Sequence, residues 1–256
     1  MILYKYFDPD SGDTFWDDLL INFTPPKYFN DPFEVTSTYP APTKNINVID
    51  RKRSTDEIYR TNYNVLSLTR SPLNKLMWAH YAKDHKGYVV GIDVNQSVFT
   101  NTDTCSIPVQ FGSVIYTQTK PNSELLNVSA GSAFKYDFPT YKFDNAELLH
   151  RLFLYKSIDW AYEEEVRIVK MFGDIGLYRG DDDPINIEMR EHFQVTTDNE
   201  STWFKLKVPA NSIKEIYFGV NNDLSMLEKV QTNLPTTTKY KCATNSFTWD
   251  LIPNDL

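Results

Sequence analysis

Extended runs outnumber helical ones in this chain and do not alternate with them regularly, and this restricts its fold more than any other feature. A doubly wound parallel sheet needs a helix after almost every strand, so the irregular order specifies an α+β fold. The extended runs are Ile2 to Phe7, Ile21 to Thr24, Val65 to Thr69, Tyr88 to Val94, Glu164 to Met171, Trp203 to Val208 and Ile213 to Phe218. Ile107 to Thr117 reads as a strand pair or one bent strand, and Tyr240 to Leu251 as a terminal hairpin. Helices are expected over Thr14 to Leu20 and over Leu224 to Thr232. A third is entered through Ser71-Pro72, with Ser as cap and Pro at the first helical position, and runs on to Gly87. A fourth starts at Asp144, where Glu147 completes a capping box, and it delivers Lys156 and Trp160.

Nothing in 256 residues forces a second core, so residues 1–256 are expected to form a single domain. The stretch from about 36 to 60 is rich in Pro, Thr and Lys and weakly patterned, which reads as a mobile surface excursion with one short helix at most. Residues 121–140 are loop-like, and the surroundings of Asp181-Asp-Asp-Pro184 are rich in turn formers.

Composition narrows the function classes. The net charge is −8, from 34 acidic and 26 basic residues, which argues against a broad electrostatic grip on a nucleic-acid backbone. Cys105 and Cys242 have neither metal-type nor redox-type spacing, so a disulfide scaffold is not expected and a reducing cytoplasm fits. No cationic start leads into an apolar signal region, and no run reaches the roughly 18 apolar residues of a membrane span, so neither ordinary export nor a membrane is expected. Phosphate loops of the Rossmann and P-loop types and the Gly-x-Ser-x-Gly elbow are absent from the sequence.

Aromatic residues reach 14 %, with 16 Tyr and 16 Phe, enough to line a cleft as well as a core. The loop Lys27-Tyr-Phe-Asn-Asp-Pro-Phe33 is unusually aromatic, and Met77-Trp-Ala-His-Tyr81 places Trp78, His80 and Tyr81 so that they cannot all enter one core. His80 and His85 are five apart and make no zinc-protease pattern, so no metal site is assigned. Trp160-Ala-Tyr-Glu-Glu-Glu-Val-Arg167 carries the densest chemistry. Strand alternation puts Glu163, Glu165 and Arg167 on one face, and Glu164, Val166 and Ile168 on the other. Arg167 would favour the ionised carboxylates, which in a dry cleft can steady an oxocarbenium-like ribosyl transition state. Ser67 and Thr69 share a face of Leu66-Ser-Leu-Thr69, and Tyr4 and Tyr6 share a face of the first strand with Lys5 opposite.

The ordered set Leu3-Tyr-Lys-Tyr6, Phe29-Asn-Asp-Pro-Phe33, Leu66-Ser-Leu-Thr69, Met77-Trp-Ala-His-Tyr81 with Gly87, Trp160 to Arg167, and Ile216-Tyr-Phe-Gly219 resembles the bacterial family of unknown function numbered 2971. The layout also looks like that of ADP-ribosyltransferases, with Lys5 or Tyr4 on the first strand, Ser67 and Thr69 in place of a Ser-Thr-Ser strand, and Glu163-Glu-Glu165 as the acidic motif. That resemblance implies a mostly antiparallel, split β-sheet core with flanking helices, and NAD as substrate. Glu165 would hold the nicotinamide ribose and steady its developing cation, while Glu163 would position or deprotonate the acceptor. Tyr28, Phe29, Phe33, Trp78 and Tyr81 would sandwich a flat ring, Asn30 and His80 would supply polar contacts, and Arg167 would flank the pair.

The expected activity is therefore transfer of ADP-ribose from NAD to a macromolecular acceptor, protein or nucleic acid, in a toxin or phage-defence effector with a possible antitoxin partner. Two alternatives stay open from the residues themselves. A metal-dependent nuclease would use Glu163 and Glu165 as oxygen ligands. A non-catalytic antitoxin or sensor module would use the ring-rich cleft for binding alone.

Overall fold

The computed structural model describes residues 1–36, 56–120, 138–172, 180–198 and 202–256. Most of the expected surface excursion, at 37–55, and most of the expected loop, at 121–137, lie outside those residues, while 56–62 is helical. Twelve strands are present among the described residues: β1 (Ile2–Phe7), β2 (Leu20–Phe23), β3 (Tyr63–Thr69), β4 (Tyr88–Asp93), β5 (Ile115–Thr117), β6 (Tyr155–Ser157), β7 (Glu165–Met171), β8 (Phe193–Thr197), β9 (Thr202–Lys207), β10 (Ile213–Phe218), β11 (Thr238–Thr244) and β12 (Leu251–Asp255). Seven of them form the main sheet in the order β12-β11-β10-β4-β1-β3-β7. Its neighbours are antiparallel except β10 and β11, so the α+β expectation holds with a mixed sheet. A second sheet runs β2-β9-β8, and β5 pairs with β6 in parallel.

Alternation sorts the main sheet into two faces. Leu3 and Phe7 of β1, Leu66 and Leu68 of β3, and Val166 and Ile168 of β7 enter one large core shared with the helix Pro9–Asp18 and the second sheet. The opposite face carries two smaller cores. Tyr6, Val89 and Tyr217 pack with Met77 and Trp78 of the helix Lys75–Tyr81, while Tyr63, Val65, Val169 and Met171 pack with Leu149, Leu152 and Phe153 of the helix Phe143–Phe153. Between these two apolar clusters the same face presents Ser67, Thr69, Glu165 and Arg167. A polar site is thereby held between packed walls.

β1 and β3 meet at one register pair, Tyr4 with Thr69, and then part. By contrast, β1 pairs with β4 over six consecutive positions, and β3 with β7 over seven. Thr24, just past β2, instead bridges to Val65, so the second sheet is joined to β3 rather than to β1. The outer edge of β7 is sealed by residues 107–114: Ile107 and Ser113 bridge to Val169 and Val166, and the Arg167 amide donates to the Gly112 carbonyl at 2.8 Å. A Cβ at Gly112 would lie 1.9 Å from the Arg167 carbonyl oxygen, so only glycine permits this approach.

Several local expectations are corrected. The helix after β3 begins at Lys75 with Asn74 as its cap, accepting from the amides of Leu76 and Met77, rather than at Ser71-Pro72, and it ends at Tyr81, short of Gly87. Lys142, not Asp144, precedes the helix Phe143–Phe153, and its side chain makes no capping bond. Ile107 to Thr117 is neither a strand pair nor one bent strand: isolated bridges and a 3-10 turn at Val109–Phe111 precede the short β5. Asp181-Asp-Asp-Pro184 is not only a turn, because Asp183 caps a helix, Pro184–His192, which has Pro at its start.

Candidate functional site

Glu163 and Glu165 reach the same pocket by a different route from simple alternation. Residues Ile158–Glu163 form a 3-10 helix capped by the Ser157 side chain, and Glu164 then takes a left-handed conformation with φ 46° before β7 begins. That single residue turns the chain and sends its own side chain to solvent, so Glu164 does not join Val166 and Ile168 in the core. Glu163 and Glu165 are both buried, at 3 % and 5 % exposure, although three acidic residues in a row would ordinarily be solvated.

Burial of this kind demands partners, and they are present. Arg167, 1 % exposed, donates from Nε to Glu165 Oε1 at 2.8 Å and from Nη2 to Glu165 Oε2 at 2.9 Å. It also donates to Glu34 and, at 2.6 Å, to the Phe153 carbonyl. Lys156 Nζ donates to Glu163 Oε2 at 2.6 Å and to Glu165 Oε2 at 3.3 Å, and it lies 3.3 Å from Glu34 Oε1. Tyr81 donates its phenol hydrogen to the other oxygen of Glu163, and Asn30 donates to the Tyr81 oxygen at 3.4 Å. The Tyr116 hydroxyl accepts the Glu165 amide at 2.9 Å. Lys5 reaches through the parting of the strands, where its Nζ donates to the Ser67 carbonyl at 3.1 Å.

The two neighbouring carboxyls are driven apart in acidity. Burial alone would raise Glu165, but the opposing fields of Arg167 and Lys156, with hydrogen bonds from Arg167 and Ser67, hold it at about 2. Glu163 moves the other way: burial and the charge of Glu165 lift it above its ordinary value, against Lys156 and Tyr81. Burial disfavours charge on Lys156 and Arg167 as well, but the surrounding carboxylates outweigh it and raise both. Burial lowers Lys5, with only partial compensation from Glu165. The pocket therefore holds one carboxylate fixed in its charged form beside one poised to exchange a proton, the pattern by which paired carboxyls divide electrostatic and acid–base roles.

The pocket has a volume of about 140 Å³, and its walls include Tyr4, Lys5, Asn30, Ser67, Thr69 and Tyr81 together with Glu163, Glu165 and Arg167. These nine expected residues are brought together. Phe29 lines the same space, with the Arg167 guanidinium 5.2 Å from its ring centre. Four expected contacts lie elsewhere. Trp78 is fully buried beneath Tyr6, its indole bonded to the Pro72 carbonyl at 2.9 Å, because Met77 and Tyr81, one helical turn apart, take the pocket-facing positions. His80 points to solvent beside Tyr162, and Phe33, 70 % exposed, borders a neighbouring depression. Tyr28 stacks on Trp203, with ring centres 4.8 Å apart, rather than on the pocket.

Glu34 and Lys156 are the functional-site residues that sequence reasoning did not assign. Glu34 follows the aromatic loop, and a carboxylate between Phe33 and Val35 in an otherwise ring-rich segment was its one visible sign. Among the described residues no group of three or more metal-ligating side chains is placed to hold an ion. The oxygens of Glu163 and Glu165 that would serve as ligands already face an ammonium and a guanidinium. No helix among the described residues is long and apolar enough to cross a membrane.

Residues 77–168 match a family described as a protein of unknown function (DUF2971), in agreement with the likeness carried by the motifs from Met77 to Arg167. The matched segment contains Tyr81, Lys156, Glu163, Glu165 and Arg167, and β1, the aromatic loop and β3 lie outside it. Neither a curated protein nor a solved structure matches the chain.

Proposed function

We propose, for a chain whose residues 77–168 fall in the unknown-function family numbered 2971, that the buried carboxylate pocket is the active site of an ADP-ribosyltransferase that uses NAD as its substrate. The observation that carries this reading is the convergence of Lys5, Ser67 and Glu165 on one pocket from β1, β3 and β7, consecutive strands of the main sheet, the first two of which part beside it. The pocket is small beside whole-ligand sites of about 300–1,000 Å³, so it admits one end of a dinucleotide.

In this reading Phe29 and Tyr81 flank the nicotinamide ring and Asn30 offers its amide to the carboxamide. A carboxylate has about four acceptor positions, and those of Glu165 are taken by Arg167, Lys156 and Ser67, so a ribose hydroxyl takes the place of the Ser67 hydroxyl. The bond between the anomeric carbon and the nicotinamide nitrogen breaks, and its electron pair neutralises the pyridinium. Glu165, held ionised, steadies the positive charge left on the sugar. The acceptor's nucleophilic atom then bonds to the anomeric carbon, and Glu163, the more weakly acidic of the pair, takes its proton.

The test is incubation of purified protein with NAD, with and without a cell lysate, followed by quantification of free nicotinamide and of ADP-ribosylated product. Release of nicotinamide that falls about 100-fold or more in Glu165→Gln is expected. Absence of nicotinamide release in both conditions refutes the reading.

A further inference from the structure

A depression of about 220 Å³ adjoins the carboxylate pocket, and the two share Glu34 and Lys156 as wall residues. One short loop serves both spaces. Phe29, Asn30 and Glu34 border the carboxylate pocket, while Asp31, Phe33 and Glu34 border the depression. β6 closes the depression with Tyr155, Lys156 and Ser157, and its parallel neighbour β5 adds Thr117. Each space alone is smaller than the roughly 300 Å³ at which whole-ligand sites begin, and the two together exceed it.

Asp31 is the group in the depression that points to a ligand. Five carboxylates are buried among the described residues: Asp31, Glu34, Glu163, Glu165 and Glu188. A buried carboxylate must gather donors to offset its lost hydration, and the four glutamates do so on both oxygens. Asp31, 6 % exposed, differs. Its Oδ1 accepts from the Phe33 amide at 2.8 Å, and its Oδ2 has no donor among the described residues. Beside it Phe33 stands 70 % exposed, and the Lys120 ammonium lies 5.7 Å from that ring's centre. An acceptor oxygen, a bare ring and an ammonium set side by side match the hydroxyls, flat base and phosphate of a nucleotide.

We infer that this depression holds the adenosine end of the dinucleotide whose nicotinamide end enters the carboxylate pocket. Asp31 Oδ2 accepts from the hydroxyls of the adenosine ribose, adenine lies against Phe33, and Lys120 faces the phosphates. Glu34 is neutralised by Arg167 and Lys156, so the partition between the two spaces presents no bare negative charge to the phosphates that pass it. The link between the two spaces rests on the NAD reading, whereas the nucleotide site itself stands on Asp31, Phe33 and Lys120, which take no part in the proposed bond cleavage.

The test is calorimetric titration of the full chain with ADP and with 2′-deoxy-ADP, repeated on Asp31→Asn and Phe33→Ala. Asn keeps an oxygen for the Phe33 amide, so the first variant removes the charge and spares the loop. The parent is expected to bind ADP about tenfold more tightly than 2′-deoxy-ADP, and Asp31→Asn to bind the two about equally. Phe33→Ala is expected to weaken ADP about tenfold, through loss of stacking. Failure of ADP to bind at millimolar concentration overturns the inference. So does equal affinity of the parent for the two nucleotides, a comparison that needs no variant to fold. ADP binding indifferent to both substitutions, in variants whose unfolding temperatures match the parent, overturns it as well. Nicotinamide release is measured in parallel. The expected ADP pattern without release keeps the nucleotide site and removes the NAD reading, whereas release with indifferent ADP binding does the reverse.

Discussion

Replacing Arg167 by Met removes the cation that two buried carboxylates share, and the structure sets the size of the effect. Arg167 is 1 % exposed and donates to both oxygens of Glu165, to Glu34 and to the Phe153 carbonyl. Breaking a buried pair from one side typically costs about 3–5 kcal/mol, because the partner charge is stranded. An independent route leads to a similar figure. A buried carboxyl moved from its ordinary 4.5 to about 2 is held ionised by roughly 3 kcal/mol, at about 1.4 kcal/mol per tenfold in the acid constant. Because the folded-state value is depressed, that stability is present above the unfolded value near 4.5 and is lost as the pH falls toward 2. Urea denaturation at pH 7 is therefore expected to show Arg167→Met destabilised by about 3–5 kcal/mol. Repeating the measurement between pH 5 and pH 2.5 should show a steep loss in the parent and a shallower one in the variant. A cost below about 1 kcal/mol at pH 7, or parallel acid limbs, would mean that the ion network is not what keeps these carboxylates charged.

Glu163 bears the opposite sign. Its folded-state acidity is weakened by burial and by Glu165, so its ionisation opposes folding, and Glu163→Gln should raise the unfolding temperature by an amount that grows as the pH rises above the ordinary carboxyl range, while lowering any transferase activity. A variant that is both less stable at pH 8 and fully active would contradict both roles. Gly112→Ala drives a Cβ to 1.9 Å from the Arg167 carbonyl and is expected to cost about 1–3 kcal/mol in thermal unfolding. Gly180→Ala, with nothing among the described residues within 4 Å of its added carbon, is the neutral comparison, and equal effects at the two positions would show that the seal on β7 is not tight.

The strands of the sheet were legible because period-two patterning survives burial, as in β1 and β10, whose limits coincide with the runs Ile2 to Phe7 and Ile213 to Phe218. The grouping of Glu163, Glu165 and Arg167 was legible too, although Glu163 comes from a 3-10 helix and the left-handed Glu164 restores the phase. Tertiary choices were not. Whether Trp78 or Tyr81 faces the pocket depends on the helical phase fixed by the Asn74 cap, three residues beyond the Ser71-Pro72 signal. The cap-and-proline signature read there in fact operates at Asp183-Pro184, amid turn formers that obscure it. Glu34 meets Arg167 across 133 positions of chain, a contact that no local pattern encodes.

The single meeting point of β1 and β3 has a mechanical consequence. On one side of that line, β1 is bound to β4, β10, β11 and β12, and on the other, β3 is bound to β7 and, through Thr24, to the second sheet. A tilt of the two blocks about Tyr4 and Thr69 would break no further ladder bond between β1 and β3, but it would stretch the reach of Lys5 to the Ser67 carbonyl, of Tyr6 to the Ser71 carbonyl and of Tyr81 to Glu163, and would strain the core that Leu3 and Phe7 share with Leu66 and Leu68. Because the carboxylate pocket borders Lys5, Tyr6 and Tyr81, such a tilt would change its width. The lysine acts as a tie rod across a seam.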